Sequence, residues 1–103
     1  MIENHAALEQ SELGHILGSL RAELSRLGAR RLWLFGSRSR GRAGADSDWD
    51  FLVEFERAPS FADFMGLKLL LEDRLHGRVD LLSRQACKPR FLEAIRGELI
   101  DVT

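Results

Sequence analysis

Apolar residues are distributed along the chain in two different patterns, one typical of helices and the other typical of buried strands. Between residues 13 and 27, leucine and isoleucine recur at steps of three and four, and this spacing predicts one amphipathic helix that Gly28 ends. Short, nearly continuous apolar runs predict buried strands instead. Three such runs occur, at residues 31–35, 49–55 and 79–82.

Two further helices are predicted after the second and third strands. Ser60 and Asp63 form a capping pair for a helix over residues 61–76, which Gly77 ends. Residues 89–99 are predicted to form a closing helix. The order of elements is therefore helix, strand, loop, strand, helix, strand, helix.

This order predicts an α/β or α+β fold, with three strands and helices packed on one side of the sheet. The chain has 103 residues, which suits a single domain over residues 1–103 with one core. The short loop between the first two strands is compatible with an antiparallel pair. The helix before the third strand leaves the direction of that strand open.

Charge and cysteine content narrow the class of protein. The formal net charge is −1, so no overall field draws the chain to nucleic acid or to an anionic membrane, and neither is expected as a direct partner. Cys87 is the single cysteine, which excludes an internal disulfide and suits a reducing compartment. No apolar run approaches the roughly 20 residues of a membrane span, and the first residues do not resemble a signal peptide. We therefore expect a cytoplasmic protein.

Three aspartates carry the candidate chemistry. Asp48 and Asp50 flank Trp49, and residues two apart on a strand share a face, so the two carboxylates should project together. Two ionised carboxylates side by side repel each other, and a divalent cation removes that cost. Asp80 lies within an apolar strand, where a buried carboxylate needs a partner. The same metal site would supply one.

A loop over residues 36–47 lies just upstream, with three glycines, three arginines and three serines. One short helical turn is predicted after Ser37. Glycine at the Gly36-Ser37 turn lets the backbone approach a ligand, and exposed N–H groups there attract phosphate. One or more of three arginines can reach a triphosphate with a forked guanidinium: Arg38, Arg40 and Arg42.

Two other motifs fail in this stretch. Residues 36–41 begin like a P-loop, but the required Gly-Lys-Ser/Thr does not follow. Asp46, Asp48 and Asp50 open like a calcium-binding loop, but Phe51 stands at the position that requires glycine. A third interpretation stays open from the aspartates alone: a turn rich in Asp and Ser, followed by a strand, with solvated carboxylates.

The same residues resemble the core motif of a known family. Gly36-Ser37, ten further residues and then Asp48-Trp49-Asp50 have the Gly-Ser-x10-Asp-x-Asp form of the minimal nucleotidyltransferases (MNT), members of the DNA polymerase β-like superfamily. Residues 71–82 and 88–95 are similar to further family stretches, so the resemblance spans nearly the whole chain. Trp49 departs from the pattern, because an aliphatic residue is usual there; its side chain is expected to face away from the metals.

The resemblance implies a nucleotidyltransferase fold, a small mixed sheet of about three strands packed by helices. It also implies that Asp48, Asp50 and Asp80 are the catalytic residues and bind two Mg²⁺ ions. The phosphate-holding turn of the family falls on the glycine and serine of the motif. Four residues are expected to bind the nucleotide: Gly36, Ser37, Arg38 and Arg42.

Members of this size are often antitoxins paired with a HEPN-domain ribonuclease toxin. The implied reaction is Mg²⁺-dependent transfer of AMP from ATP to a hydroxyl of the toxin, that of a tyrosine, which neutralises it. The chain contains no tyrosine, so a tyrosine acceptor must belong to another protein. Two alternatives stay open: an antitoxin that neutralises by binding alone, and an enzyme that modifies a small molecule such as an aminoglycoside, for which a substrate domain is missing.

Overall fold

The computed structural model describes residues 10–41, 44 and 47–103. The described residues form four helices and four strands, with two short 3₁₀ turns, Arg84–Ala86 and Arg96–Glu98. The helices are α1 (Gln10–Gly18), α2 (Arg21–Arg26), α3 (Phe61–Leu75) and α4 (Pro89–Ile95). The strands are β1 (Ala29–Phe35), β2 (Trp49–Phe55), β3 (Val79–Ser83) and β4 (Ile100–Asp101).

The strands form one mixed sheet in the order β3-β2-β1-β4. β1 is antiparallel to β2, with which the short loop between them is compatible, and it is also antiparallel to β4, which was not predicted. β3 is parallel to β2, because α3 carries the chain back along the sheet between them. The mixed α/β fold is confirmed, and the sheet has one short strand more than the three predicted.

The sheet is packed on both faces, so the prediction of helices on one side is wrong. The inner face packs against leucines of α1, α2 and α3 and contains Leu32, Leu34, Trp49, Phe51, Val53, Phe55, Val79 and Leu81. On the outer face, Phe35 and Leu52 pack against Ile95 of α4. The alternation of strand side chains puts Asp50 and Asp80 on this outer face. α4 covers part of it and leaves the end that carries the aspartates open.

The helix predicted over residues 13–27 is in fact two helices. The backbone N–H of Ser19 donates to the carbonyl oxygens of His15 and Ile16, at 3.2 and 3.1 Å, and its hydroxyl donates to Ile16 O at 2.6 Å. Serine competes in this way for helical carbonyl groups, and the chain turns before α2 begins. Leu17 and Leu20 stay buried on either side of the break, so the apolar spacing survives it. Gly28 follows α2 at φ +85°.

The two later helices begin where the sequence predicts and end elsewhere. The Ser60 hydroxyl accepts a hydrogen bond from the Asp63 N–H at 3.0 Å, which caps α3. His76, with φ 55°, takes the left-handed position that ends α3, and not Gly77. Gly77 instead lies against the Trp49 indole, where an added Cβ would stand 3.2 Å from Nε1. α4 ends at Ile95, since the chain then turns to form β4 beside β1.

No helix in the described part of the chain is long and apolar enough to cross a membrane.

Glu72 joins α3 to the start of β3 and predicts a pH-dependent stability. Its Oε2 accepts hydrogen bonds from the Lys68 ammonium at 2.7 Å and from the Val79 N–H at 2.9 Å. These bonds, the one from Lys68 first, lower the pKa of Glu72. A lowered carboxyl pKa stabilises the fold above the ordinary glutamate range, and the contribution is lost as pH falls through the lowered pKa.

We expect Glu72→Gln to reduce the free energy of unfolding at neutral pH, with the difference from wild type shrinking in acid. Urea unfolding at a series of pH values measures it. Glu56→Gln, at an exposed position just after β2, is the control and should show little difference at any pH. A Glu72→Gln difference that is the same at every pH would contradict this assignment.

Candidate active site

The candidate site is built on the parallel pairing of β2 with β3. In that register Asp50 is the partner of Asp80, so the two carboxylates leave neighbouring strands from the same face of the sheet. Asp48 lies just before β2, two residues from Asp50. The structure therefore brings the three predicted aspartates to one end of the outer face.

Asp50 is the most constrained of the three carboxylates. Its pKa is raised, first by partial burial and then by the negative charges of Asp80, Asp48 and Glu98. The positive charge of Arg40 opposes these effects only in part. Ionised Asp50 is therefore disfavoured by its surroundings, which is the electrostatic condition under which a bound cation stabilises a site.

The other two carboxylates are more open than the sequence suggested. Asp80 is exposed, so the prediction of a buried carboxylate within an apolar strand is wrong. Val79 and Leu81 point to the core, and the residue between them necessarily points the other way. Asp48 is exposed and lies 3.6 Å from Arg78 Nε, a solvated ion pair of small energetic value.

The aspartates suit a divalent cation by chemistry and by position. Carboxylate oxygens on two paired strands are the hard donors that Mg²⁺ prefers, and such sites leave room for water and phosphate. Within residues 10–41, 44 and 47–103, no three His, Cys, Asp or Glu side chains stand close enough together to hold one ion. The aspartate side chains would therefore have to rotate to share an ion, a movement open to the two exposed ones.

Gly36 lies so close to Asp50 that a side chain at this position would force the Asp50 side chain to move. It follows directly after β1 and has φ +81°, a conformation that glycine adopts without strain. A Cβ added there would overlap the Asp50 carboxylate and would stand 3.2 Å from Asp50 Cβ. The helical turn predicted after Ser37 is present: Ser39 N–H donates to Gly36 O and Arg40 N–H to Ser37 O, both at 3.1 Å.

Arg38 lies on the other side of this turn and supports the loop. Its guanidinium stacks on the Trp49 ring at 3.9 Å from the centroid. Its Nε and Nη2 donate to the carbonyl oxygen of Ser47 at 3.1 and 2.7 Å, and Nη2 also donates to Gly44 O at 3.3 Å. Arg38 therefore connects the two ends of the loop just before the aspartates.

Trp49, the departure from the family pattern, faces away from the aspartates as expected. It is buried in the inner face and stacks on Phe51 with ring centroids 6.2 Å apart. The indole thus lies between Phe51, Arg38 and Gly77, and a smaller aliphatic residue would leave the guanidinium without its platform.

The structure singles out Arg40 among the three arginines and adds Glu98 as a functional candidate. The Arg40 guanidinium acts on Asp50 and lies 2.9 Å from Glu98, so Arg40 is the arginine on the aspartate side of the turn. Glu98 also accepts a hydrogen bond from the Gly36 N–H at 2.8 Å. Sequence reasoning named Arg40 without preferring it and missed Glu98, because no local pattern links positions so far apart. Arg42 lies outside the described residues.

Comparisons with known proteins agree with this geometry. Residues 22–101 match the family described as Polymerase beta, Nucleotidyltransferase. Protein adenylyltransferase MntA of Thermococcus cleftensis is 39% identical over 98 residues, which cover 94% of this chain and 99% of the relative. A solved structure described as a minimal nucleotidyltransferase is 37% identical to this chain and superposes on it with a TM-score of 0.78. The match covers 95% of this chain and 98% of the chain in that structure.

A more distant structure has the same fold. It contains a tri-AMPylated HEPN toxin of Shewanella oneidensis in complex with an MNT antitoxin. The matched chain of this complex is 18% identical to the present chain, and the match covers 92% of this chain and 72% of the matched one, with a TM-score of 0.67.

The chain belongs to the polymerase β-type nucleotidyltransferase family, and it is a nucleotidyltransferase. The family resemblance found in the sequence is therefore confirmed.

Two glycines with the same backbone conformation allow a matched test of the fit between Gly36 and Asp50. Gly41 has φ +73° with nothing within 4 Å of an added Cβ, whereas at Gly36 the Cβ meets Asp50. Alanine at φ near +60° costs roughly 1–2 kcal/mol at either site. We expect Gly41→Ala to show that cost alone.

Gly36→Ala should lose more stability, and its nucleotidyl transfer should fall more than about tenfold because Asp50 is pushed out of place. Thermal unfolding and a transfer assay on both variants measure the difference. Equal losses in the two variants would show that the contact with Asp50 has no consequence.

Proposed function

We propose that this nucleotidyltransferase is a Mg²⁺-dependent antitoxin that transfers AMP from ATP to a tyrosine hydroxyl of a HEPN ribonuclease toxin and thereby neutralises it. The observation that carries the proposal is the pairing of Asp50 with Asp80 beside the Gly36 turn. Acidic strands next to a phosphate-binding turn match the two charges of a metal-bound nucleoside triphosphate.

The nature of the acceptor is supported from two directions. The relative from Thermococcus cleftensis is described as a protein adenylyltransferase, and the toxin in the Shewanella oneidensis complex is AMPylated. This chain has no tyrosine, so a tyrosine acceptor lies on a partner. A single cysteine, with no internal disulfide, suits a reaction in the reducing cytoplasm.

The residues of the site have distinct roles in this reaction. Two bound Mg²⁺ ions would neutralise the triphosphate and favour ionisation of the attacking hydroxyl. Asp48, Asp50 and Asp80 would hold these ions, while the Gly36-Ser37 turn and Arg40 would bind the phosphates. The carboxylate of Asp80, which is exposed, would lie on the acceptor side and help to remove the proton of the attacking hydroxyl.

The covalent step forms a phosphate ester on the acceptor and breaks the phosphoanhydride bond between the α- and β-phosphates of ATP. The acceptor oxygen attacks the α-phosphorus, the bond to the β-phosphate breaks, and pyrophosphate leaves with the bond electrons. Because Gly36 has a positive φ and no side chain, the phosphate-binding turn can lie directly beside Asp50. The transfer would therefore depend on how the site positions the triphosphate and neutralises its charge.

The proposal predicts that the aspartates are needed for transfer and not for folding. We expect wild-type protein, Mg²⁺ and α-labelled ATP to label the HEPN product of the neighbouring gene. Asp48→Asn, Asp50→Asn and Asp80→Asn should each reduce labelling at least about a hundredfold. Asp73→Asn, on the exposed side of α3, is the control and should label normally.

The same experiment separates the alternatives. Neutralisation of the toxin by the three aspartate variants, without label, supports an antitoxin that acts by binding alone. Full labelling by the Asp50→Asn variant would contradict the metal-binding role.

A further inference from the structure

Glu98 occupies the donors that the proposed function assigns to the triphosphate. A single oxygen, Oε1, accepts the Gly36 N–H at 2.8 Å and the Arg40 Nη1–H at 2.9 Å. Both donors belong to the turn that follows β1, whereas Glu98 comes from the 3₁₀ turn before β4. The contact therefore connects the end of the chain to the phosphate-binding turn.

The chemistry of this contact is that of a bound phosphate. An anionic oxygen that accepts a backbone N–H at a glycine turn, together with a guanidinium N–H, has the partners of a phosphate oxygen at such turns. A carboxylate and a triphosphate are both negative and need the same two donors. They therefore cannot occupy the position together.

The surroundings of Glu98 allow it to leave. Its side chain is about one-quarter exposed, at 24%, and is not packed into the core. A shallow cavity of about 340 Å³ lies next to it, lined in part by Ser39, Arg40 and Gly97. A rotation of the side chain can therefore release both donors without unfolding α4 or β4.

We propose that Glu98 is a positioning residue that holds the phosphate-binding turn and Arg40 in the nucleotide-free enzyme and is displaced by the triphosphate. This inference rests on the proposed function for its ligand. Glu98 keeps the turn ordered before substrate arrives, and it weakens nucleotide binding because its two hydrogen bonds must be exchanged. Glu98 thus competes with the triphosphate for these two donors.

The sign of an affinity change separates this role from a merely structural one. Glu98→Gln keeps the size and an acceptor oxygen but removes the charge. We expect the Kd for Mg²⁺ and a non-hydrolysable ATP analogue to fall about three- to tenfold, because a partly exposed charged contact no longer competes. If Glu98 only supported the turn, Glu98→Gln would disorder the turn and raise the Kd.

Isothermal titration of wild type, Glu98→Gln and the control Glu93→Gln, an exposed glutamate on α4, tests the inference. Tripolyphosphate should show the same gain in affinity as the analogue, and AMP, which lacks the β- and γ-phosphates, should show none. Thermal unfolding of each variant checks that it is folded.

Each outcome has a separate meaning. Unchanged or weaker binding by Glu98→Gln, with normal binding by wild type, overturns the role of Glu98 and leaves the proposed function intact. Absence of binding by every variant overturns the proposed function and the inference with it. A gain for AMP as large as that for tripolyphosphate would also contradict displacement by the triphosphate.

Discussion

The parallel pairing of β2 with β3 sets Asp50 beside Asp80 and brings like charges together at one end of the sheet. Partial burial and these neighbouring charges raise the pKa of Asp50, so the fold carries an electrostatic cost at this point. Hydrophobic packing on the opposite face supports the strands that hold the aspartates in place. Ionised Asp50 is thus disfavoured by its surroundings, and a cation bound with a triphosphate would favour the ionised form.

The inner face of the sheet forms most of the hydrophobic core, and the outer face carries the aspartates of the candidate site. Trp49 alternates with Asp48 and Asp50 along the chain, and its indole stacks on Phe51 and under Arg38 on the inner side. The loop that leads to the aspartates is therefore tied to the core by the residue between them. On the outer side, Glu98 ties the glycine turn to the last strand. Both connections order the site before a ligand binds.

The sequence predicts the parts of this structure that depend on local pattern. The bounds of β2, the cap of α3 and the turn after Ser37 agree with the structure, because side-chain alternation and capping act over a few residues. Long-range contacts were not predictable in the same way. β4 has two residues and is defined by its pairing with β1, and Glu98 reaches Gly36 across 62 positions. The serine break after α1 was hidden by an apolar spacing that continues across it.

The most direct test of the account is the stability of wild type and Asp50→Asn, each with and without Mg²⁺ plus a non-hydrolysable ATP analogue. Asparagine has nearly the shape of aspartate without its charge, so the variant should be the more stable protein when ligands are absent. With both ligands present the order should reverse, because the charge of Asp50 is then neutralised by bound cations. A wild type that is more stable without ligands, or that gains no more from them than the variant, would contradict the account.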